Sequence, residues 1–128
     1  MITNLKNAMA EVHRVAVDKG FWSEGLDRNM GEMLMLVVTE VAEAMEAYRR
    51  SEYAYKDMFE KVVDIDTGSG EYAELYERFI KDTFEAELAG TIIRLLDICK
   101  AHNIDIDYFL DAEIRYNKTR SHKHGKMC

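Results

Sequence analysis

The chain has 128 residues, a net charge of −7, and a composition that is 48% hydrophobic and 32% charged. This composition is typical of a soluble globular domain and excludes a disordered chain, and the length suits one domain with one core. The negative charge argues against nucleic acid as the main partner, and no apolar run approaches the ~20 residues of a membrane span. We therefore expect no membrane partner. The two cysteines form no disulfide framework or metal spacing, so we expect a cytoplasmic protein.

The absence of proline and the small number of glycines predict an all-α chain, because the main helix breakers are missing. The first helix is predicted to start from a cap at Thr3 or Asn4 and to end at Lys19. Gly20 stops it, and a loop with an aromatic pair follows over residues 21–29.

The second helix is predicted over residues 31–50 and is apolar nearly all round, which indicates a central position in the fold. Its most apolar stripe consists of Leu34, Val37, Val38, Val41 and Met45. In so small a chain, such a helix favours self-association, and we expect a homodimer or a homotetramer.

The middle of the chain is weakly patterned over residues 51–66, which allow one short helix, and the sequence TGSG at 67–70 predicts a clear break. A helix from Glu71 is then predicted to carry the chain into the strongly periodic residues 81–102. One side of that segment is apolar, and the other side consists of Glu87, Thr91, Arg94 and Asp97. Taken alone, such a polar side is usually the one that faces water.

Asp105 is predicted to cap a last helix that ends near Lys118. The expected fold class is therefore all-α, a helical bundle of four to five helices, in a single domain over residues 1–128 with a partly irregular tail at 116–128. From Arg115 onward the only charges are basic. A basic end on an acidic protein suggests a phosphate site, and a solvated, frayed terminus is the alternative.

Glu40 and Glu43 form the most informative pair in the chain. Residues three apart lie about 60° apart around an α-helix, so the two carboxylates point the same way. Their neighbours on that face are apolar or small, and burying carboxylates costs free energy unless a cation compensates their charge. Carboxylate oxygens suit Mg²⁺ or Mn²⁺, and the absence of a Cys/His cluster disfavours zinc. The alternative is a salt bridge from one glutamate to Arg49 or Arg94.

Three segments carry a resemblance to a known family. They are GEMLMLVVTEVAEAMEAYR at 31–49, KDTFEAELAGTIIRLLD at 81–97 and YNKTRSHKHGK at 116–126. Together and in this order they resemble the MazG-like, all-α nucleoside triphosphate pyrophosphohydrolases. The similarity spans most of the chain and is weakest at 51–76.

The resemblance implies an oligomeric helical hydrolase that uses Mg²⁺ to cut a nucleoside or deoxynucleoside triphosphate into a monophosphate and pyrophosphate. The family's metal signature is Glu-x-x-Glu on one helix and Glu-x-x-Asp on a later one. Its first half falls on Glu40 and Glu43, and its second half begins at Glu87 but has Gly90 where the family usually has aspartate. Asp97 lies about 10 Å further along the helix and cannot replace that ligand. We therefore expect a reduced site, in which the three glutamates are the catalytic and metal-binding residues for one Mg²⁺.

The expected reaction is metal-assisted hydrolysis of the α–β phosphoanhydride bond of a nucleoside triphosphate. The predicted substrate-binding residues are Lys118, Arg120 and Lys126 for the outer phosphates, Asn117 for phosphate or sugar, and Trp22 for the base. A core or interface position is the alternative for Trp22. The alternative function, which Gly90 favours, is a catalytically reduced nucleotide-binding or protein-interaction module.

Overall fold

The computed structural model describes residues 3–23, 25, 28–63 and 69–125, and these residues contain six α-helices, one short 3-10 helix and no strand. The α-helices are α1 (Lys6–Asp18), α2 (Met30–Arg49), α3 (Lys56–Val62), α4 (Ser69–Phe79), α5 (Phe84–Ala101) and α6 (Ile106–Thr119). The all-α prediction is confirmed, but the described residues hold more helices than the four or five expected. None of these helices has the length and hydrophobicity needed to cross a bilayer.

The start of α1 differs from the prediction, because neither Thr3 nor Asn4 caps it. Leu5 is the N-cap residue, and no side chain accepts a hydrogen bond there. The Leu5 N–H instead donates to Asp107 Oδ1 at 2.7 Å, and the Thr3 N–H donates to Asp111 Oδ1 at 3.2 Å. The polar groups before α1 therefore bind side chains of α6.

The bounds of α2 agree with the prediction to within one residue at each end. Asn29 is the N-cap, and its side chain accepts a hydrogen bond from the Glu32 N–H at 3.0 Å, which is a strong start signal. The last helix also begins as predicted, since the Asp105 side chain accepts from the Tyr108 N–H at 3.3 Å.

The most apolar stripe of α2, which the sequence led us to expect in the centre of the fold, is not buried among the described residues. Four of its members lie between 48% and 56% exposed: Leu34, Val38, Val41 and Met45. The buried residues of α2 lie on a different face and are Met33, Ala44 and Ala47. Hydrophobicity alone identified the wrong face because nearly every side of this helix is apolar.

The predicted continuous helix from Glu71 to His102 is wrong, since α4 ends at Phe79 and α5 begins at Phe84. Asp82 has a φ of +63° in the intervening turn. Thr83 follows it; its hydroxyl donates to the Ile80 carbonyl at 2.6 Å and lies 3.3 Å from the Ala86 N–H, which donates to it. Neither glycine nor proline marks this break. The predicted break at 67–70 lies partly outside the described residues, and α4 starts at Ser69, two residues before the predicted start at Glu71.

The chain forms two compact units, and each is described by itself. The first unit comprises residues 1–28 and 96–128, and the second comprises residues 29–95. In the first unit the buried cluster is Met9, Leu96 and Cys99, against which Leu5, Val12 and Ile106 pack. In the second unit α3 packs on α4, where the Phe59 ring lies 5.7 Å from the Tyr72 ring between centroids. The single domain over 1–128 stays a prediction.

Candidate metal centre

Three carboxylates of the second unit lie close together. Glu40 and Glu43 come from α2 and Glu87 comes from the first turn of α5, and one oxygen from each lies within 4.8 Å of the other two. In an octahedral Mg²⁺ site with ~2.1 Å bonds, ligand oxygens lie about 3.0 Å apart when adjacent and about 4.2 Å apart when opposite. Small side-chain movements would therefore bring the three oxygens into one coordination shell, so these residues fit a hard divalent cation.

The electrostatics of this cluster also suit a cation. Burial, and then hydrogen bonding and charge repulsion from Glu40 and Glu43, raise the pKa of Glu87 to about 7. Glu40 and Glu87 are partly buried, whereas Glu43 is exposed. The metal-free cluster thus holds a proton near neutral pH, because burial disfavours the charged form of Glu87 and the neighbouring carboxylates disfavour it further. A bound divalent cation would favour the fully ionised form.

Arg94 provides a cation within the chain itself. Its Nε donates to Glu40 Oε1 at 2.8 Å, with the two side chains 38% and 17% exposed. The salt-bridge alternative is therefore confirmed for the pair Glu40–Arg94. It is wrong for Arg49, whose guanidinium lies 3.9 Å from the Glu46 carboxylate. Arg94 follows Glu87 by seven residues, close to two helical turns, and so lies on the same stripe of α5.

Gly90 makes room for the carboxylate of Glu40. A Cβ atom at position 90 would lie 2.8 Å from Glu40 Oε2, closer than van der Waals contact allows. The Glu40 side chain therefore occupies the space that any larger residue at 90 would enter. An acidic side chain at 90 would compete with Glu40 for the same volume.

Asp97 belongs to a separate polar cluster in the first unit. The Trp22 Nε1–H lies 3.0 Å from both Asp97 carboxylate oxygens and donates to them, and His13 Nδ1 lies 2.7 Å from Asp97 Oδ1. Asp97 is buried, with 9% exposed, while Leu88 and Ile92 on the apolar side of α5 are 43% and 53% exposed. The expectation that the polar side of α5 faces water is therefore wrong at Asp97.

The predicted substrate-binding residues that the structure describes all lie in the first unit. Asn117 and Lys118 belong to the last turn of α6, and Arg120 is its C-cap residue, with its guanidinium carbon 5.6 Å from the centroid of the Tyr116 ring. Trp22 is partly buried against Asp97, as described above. Lys126 lies outside the described residues. The structure does not bring these residues together with the three glutamates in one unit, and their binding of substrate stays a prediction.

Sequence reasoning missed a cavity beside the carboxylates. It has a volume of about 700 Å³, and Glu43 and Glu87 form part of its wall. All the other lining residues come from 46–55 and from 78–83. These ranges comprise the end of α2 with the loop after it, and the end of α4 with the turn before α5. The weak patterning of residues 51–66 gave no signal that this loop would form the wall of a site.

Comparison of the chain with protein-family models, with curated proteins and with solved structures gives no significant match. The resemblance to the MazG-like hydrolases therefore rests on the three sequence segments alone. Any functional assignment depends on the chemistry of the carboxylate cluster and its surroundings.

Proposed function

We propose that this protein is a Mg²⁺-dependent nucleoside triphosphate pyrophosphohydrolase of the MazG-like type, which converts a nucleoside or deoxynucleoside triphosphate into a monophosphate and pyrophosphate. The observation that carries the proposal is the convergence of Glu40, Glu43 and Glu87 to within 4.8 Å. Three hard oxygen donors match Mg²⁺, and Mn²⁺ accepts the same ligands.

Each residue of the centre has a distinct role in this proposal. Glu40, Glu43 and Glu87 would hold the cation, which requires all three carboxylates to be ionised. Arg94 orients Glu40 through the 2.8 Å hydrogen bond to Oε1, and Gly90 leaves space for the same carboxylate. When bound, Mg²⁺ neutralises phosphate charge and activates water for hydrolysis of the α–β phosphoanhydride bond.

Self-association through α2 is part of the same proposal. Leu34, Val38, Val41, Met45 and Tyr48 form an exposed stripe, with each residue between 48% and 58% exposed. They follow one another at intervals of four, three, four and three residues, which is the spacing of a helix–helix seam. A contiguous apolar stripe of this kind supports an interface with a second copy of the chain, in a homodimer or a homotetramer.

The second candidate function is a nucleotide-binding module that does not hydrolyse its ligand. The ion pair between Arg94 and Glu40 favours it, because part of the carboxylate charge is already neutralised by the chain. In that case the protein would bind a nucleoside triphosphate without releasing pyrophosphate.

A turnover assay tests the proposal. Purified protein is incubated with each nucleoside and deoxynucleoside triphosphate in Mg²⁺, and released pyrophosphate is measured. We expect release by the native chain, loss of release in Glu40→Gln and Glu87→Gln, and no change in Glu74→Gln, an exposed glutamate of α4. Mg²⁺-dependent nucleotide binding without release would favour the second function. Release that persists in both glutamine variants would contradict the metal centre.

A further inference from the structure

We propose that the cavity of the second unit binds the β and γ phosphates of the triphosphate, and that Arg50 and Lys81 hold them there. This inference rests on the proposed function and assigns a part of the substrate to residues that the sequence did not indicate. The sequence placed the outer phosphates on the basic tail instead.

The cavity is continuous with the metal centre. Glu43 and Glu87 belong both to the carboxylate cluster and to the cavity wall. Its volume of about 700 Å³ falls in the range of roughly 300–1,000 Å³ that is usual for small-molecule sites. A ligand with one phosphate at the metal centre therefore has space for the rest of its phosphate chain in the cavity.

Three cationic side chains line this cavity, namely Arg50, Arg78 and Lys81. Arg50 follows Glu43 by seven residues, so it lies on the same face about 10 Å further along the axis of α2, within reach of a chain of phosphates. Its Nε lies 2.9 Å from Glu46 Oε1 in an ion pair between two exposed side chains. Lys81 is exposed in the turn after α4 and brings a flexible ammonium group.

Acidic residues also line the cavity, and they restrict what it can bind. Glu46, Glu52 and Asp82 stand among the cations. A free anion would meet both attraction and repulsion there. The lining holds five carboxylates against three cations, so a phosphate chain would bind there only together with a divalent cation that offsets the carboxylates.

The wall of the cavity is fixed by hydrogen bonds between the loop after α2 and the segment around the α4–α5 turn. The Tyr55 N–H donates to the Phe79 carbonyl at 3.0 Å, and the Phe84 N–H donates to the Glu52 carbonyl at 2.8 Å. Two lining residues, Ser51 and Asp82, have φ values of +55° and +63°. Left-handed backbone at non-glycine residues costs free energy and is concentrated at functional sites. The cavity is therefore built before the ligand arrives.

The aromatic lining does not supply a free stacking surface at Tyr53. Its ring lies 6.1 Å from the Phe84 ring between centroids, in an edge-on contact, and so is used for packing within the unit. Tyr55, which also lines the cavity, is 68% exposed, so the assignment to phosphates follows from the cations of the lining.

The test uses the full chain and inorganic pyrophosphate as the probe, since that molecule has phosphates but no base or sugar. Its affinity is measured by calorimetry at fixed Mg²⁺, beside that of a nucleoside monophosphate. We expect Arg50→Ala and Lys81→Ala each to weaken pyrophosphate binding by about tenfold, the loss of one charge-assisted hydrogen bond. Binding of the monophosphate should be unchanged. Arg49→Ala is the matched control, because Arg49 is 71% exposed and adjoins Arg50 but does not line the cavity.

Other results of these measurements would overturn or limit the assignment of the phosphates to the cavity. Loss of pyrophosphate binding in Lys118→Ala but not in Arg50→Ala would overturn the cavity assignment in favour of the basic tail. Weaker binding of the monophosphate in Arg50→Ala would move the nucleoside end into the cavity and also overturn it. Turnover with an unchanged KM in Arg50→Ala would leave the hydrolase standing without this subsite. Arg50-dependent binding of pyrophosphate without any turnover would keep the subsite and remove the hydrolase. An absence of pyrophosphate binding in the native chain would overturn the subsite.

Discussion

Glu40 and Arg94 form an ion pair of 2.8 Å that links α2 to α5. A divalent cation at the carboxylate cluster would compete with Arg94 for Glu40. The guanidinium neutralises part of the cluster when no metal is present. A divalent ion would bind the same carboxylate more strongly than a single positive charge does. The pair therefore connects the stability of the metal-free protein to its affinity for metal.

Replacement of Arg94 by Ala should destabilise the metal-free protein by about 1–3 kcal/mol, because Glu40 then remains a partly buried charge without a partner. Added Mg²⁺ should recover much of this loss, so the thermal shift produced by Mg²⁺ should be larger in Arg94→Ala than in the native chain. Thermal unfolding in EDTA and in Mg²⁺ measures both quantities. Equal shifts in the two proteins would show that Arg94 and the metal do not share Glu40.

Replacement of Gly90 by Ala should weaken Mg²⁺ binding without lowering the stability of the fold. Alanine improves helix propensity by up to ~1 kcal/mol, but its Cβ would displace the Glu40 carboxylate from its present position. We expect unchanged or slightly higher thermal stability together with weaker Mg²⁺ binding and lower turnover. Gly70→Ala is the control, because a Cβ there meets nothing within 4 Å. Equal Mg²⁺ affinity in Gly90→Ala and the native chain would contradict the role assigned to this glycine.

The raised pKa of Glu87 predicts a pH-dependent stability in the absence of metal. Its pKa is about 7 in the folded chain against an ordinary value of 4.5, so the folded state binds this proton more tightly than the unfolded state. The stabilisation is fully present below pH 4.5 and is lost as the pH rises through 7. The shift corresponds to at most ~3 kcal/mol, and solvent screening should reduce it to about 1 kcal/mol.

Urea unfolding in EDTA across this pH range measures that contribution, and Glu87→Gln should flatten the profile. Mg²⁺ should bind with release of a proton, so its affinity should fall about tenfold for each pH unit below 7. A native profile that matches the glutamine variant would rule out the coupling described for the three carboxylates.

The exposed stripe of α2 predicts that one charge disrupts self-association. Val38 is 54% exposed, and Val38→Lys places an ammonium group in the seam, where its burial would be unfavourable. Thr39→Lys is the control, since Thr39 is exposed but lies about 100° away around the helix. Light scattering after size-exclusion chromatography should show smaller particles for Val38→Lys alone. Identical masses for both variants would place the interface elsewhere.

Local signals in the sequence predicted the helices with clear ends. Asp105, the cap predicted for the last helix, accepts a hydrogen bond from a backbone N–H at the start of α6, and such caps act over only three residues. Asn29 caps α2 in the same way, although we predicted it to lie in the preceding loop. The turn before α5 could not be predicted in this way. It depends on the positive φ of Asp82 and on hydrogen bonds from the 50s loop, and distant contacts of this kind leave no periodic pattern.

In the candidate site, too, local geometry predicted one part, and contacts between distant residues decided the rest. Helix geometry alone placed Glu40 beside Glu43, because three residues make a little less than one turn. The approach of Glu87 needed the pairing of α2 with α5, which the family resemblance implied and the residue pattern did not. The space at Gly90 and the hydrogen bond from Arg94 to Glu40 depend on side-chain positions in the folded chain, which the sequence does not specify.

The hydrogen bond from Trp22 to Asp97 also gives the protein an intrinsic optical reporter. The chain has a single tryptophan, and its indole N–H is bound to a buried carboxylate of the first unit. Its fluorescence emission should therefore change when that unit unfolds, whereas circular dichroism follows the helices of both units. Comparing the two signals during denaturation would show whether the halves of the molecule melt together or in sequence.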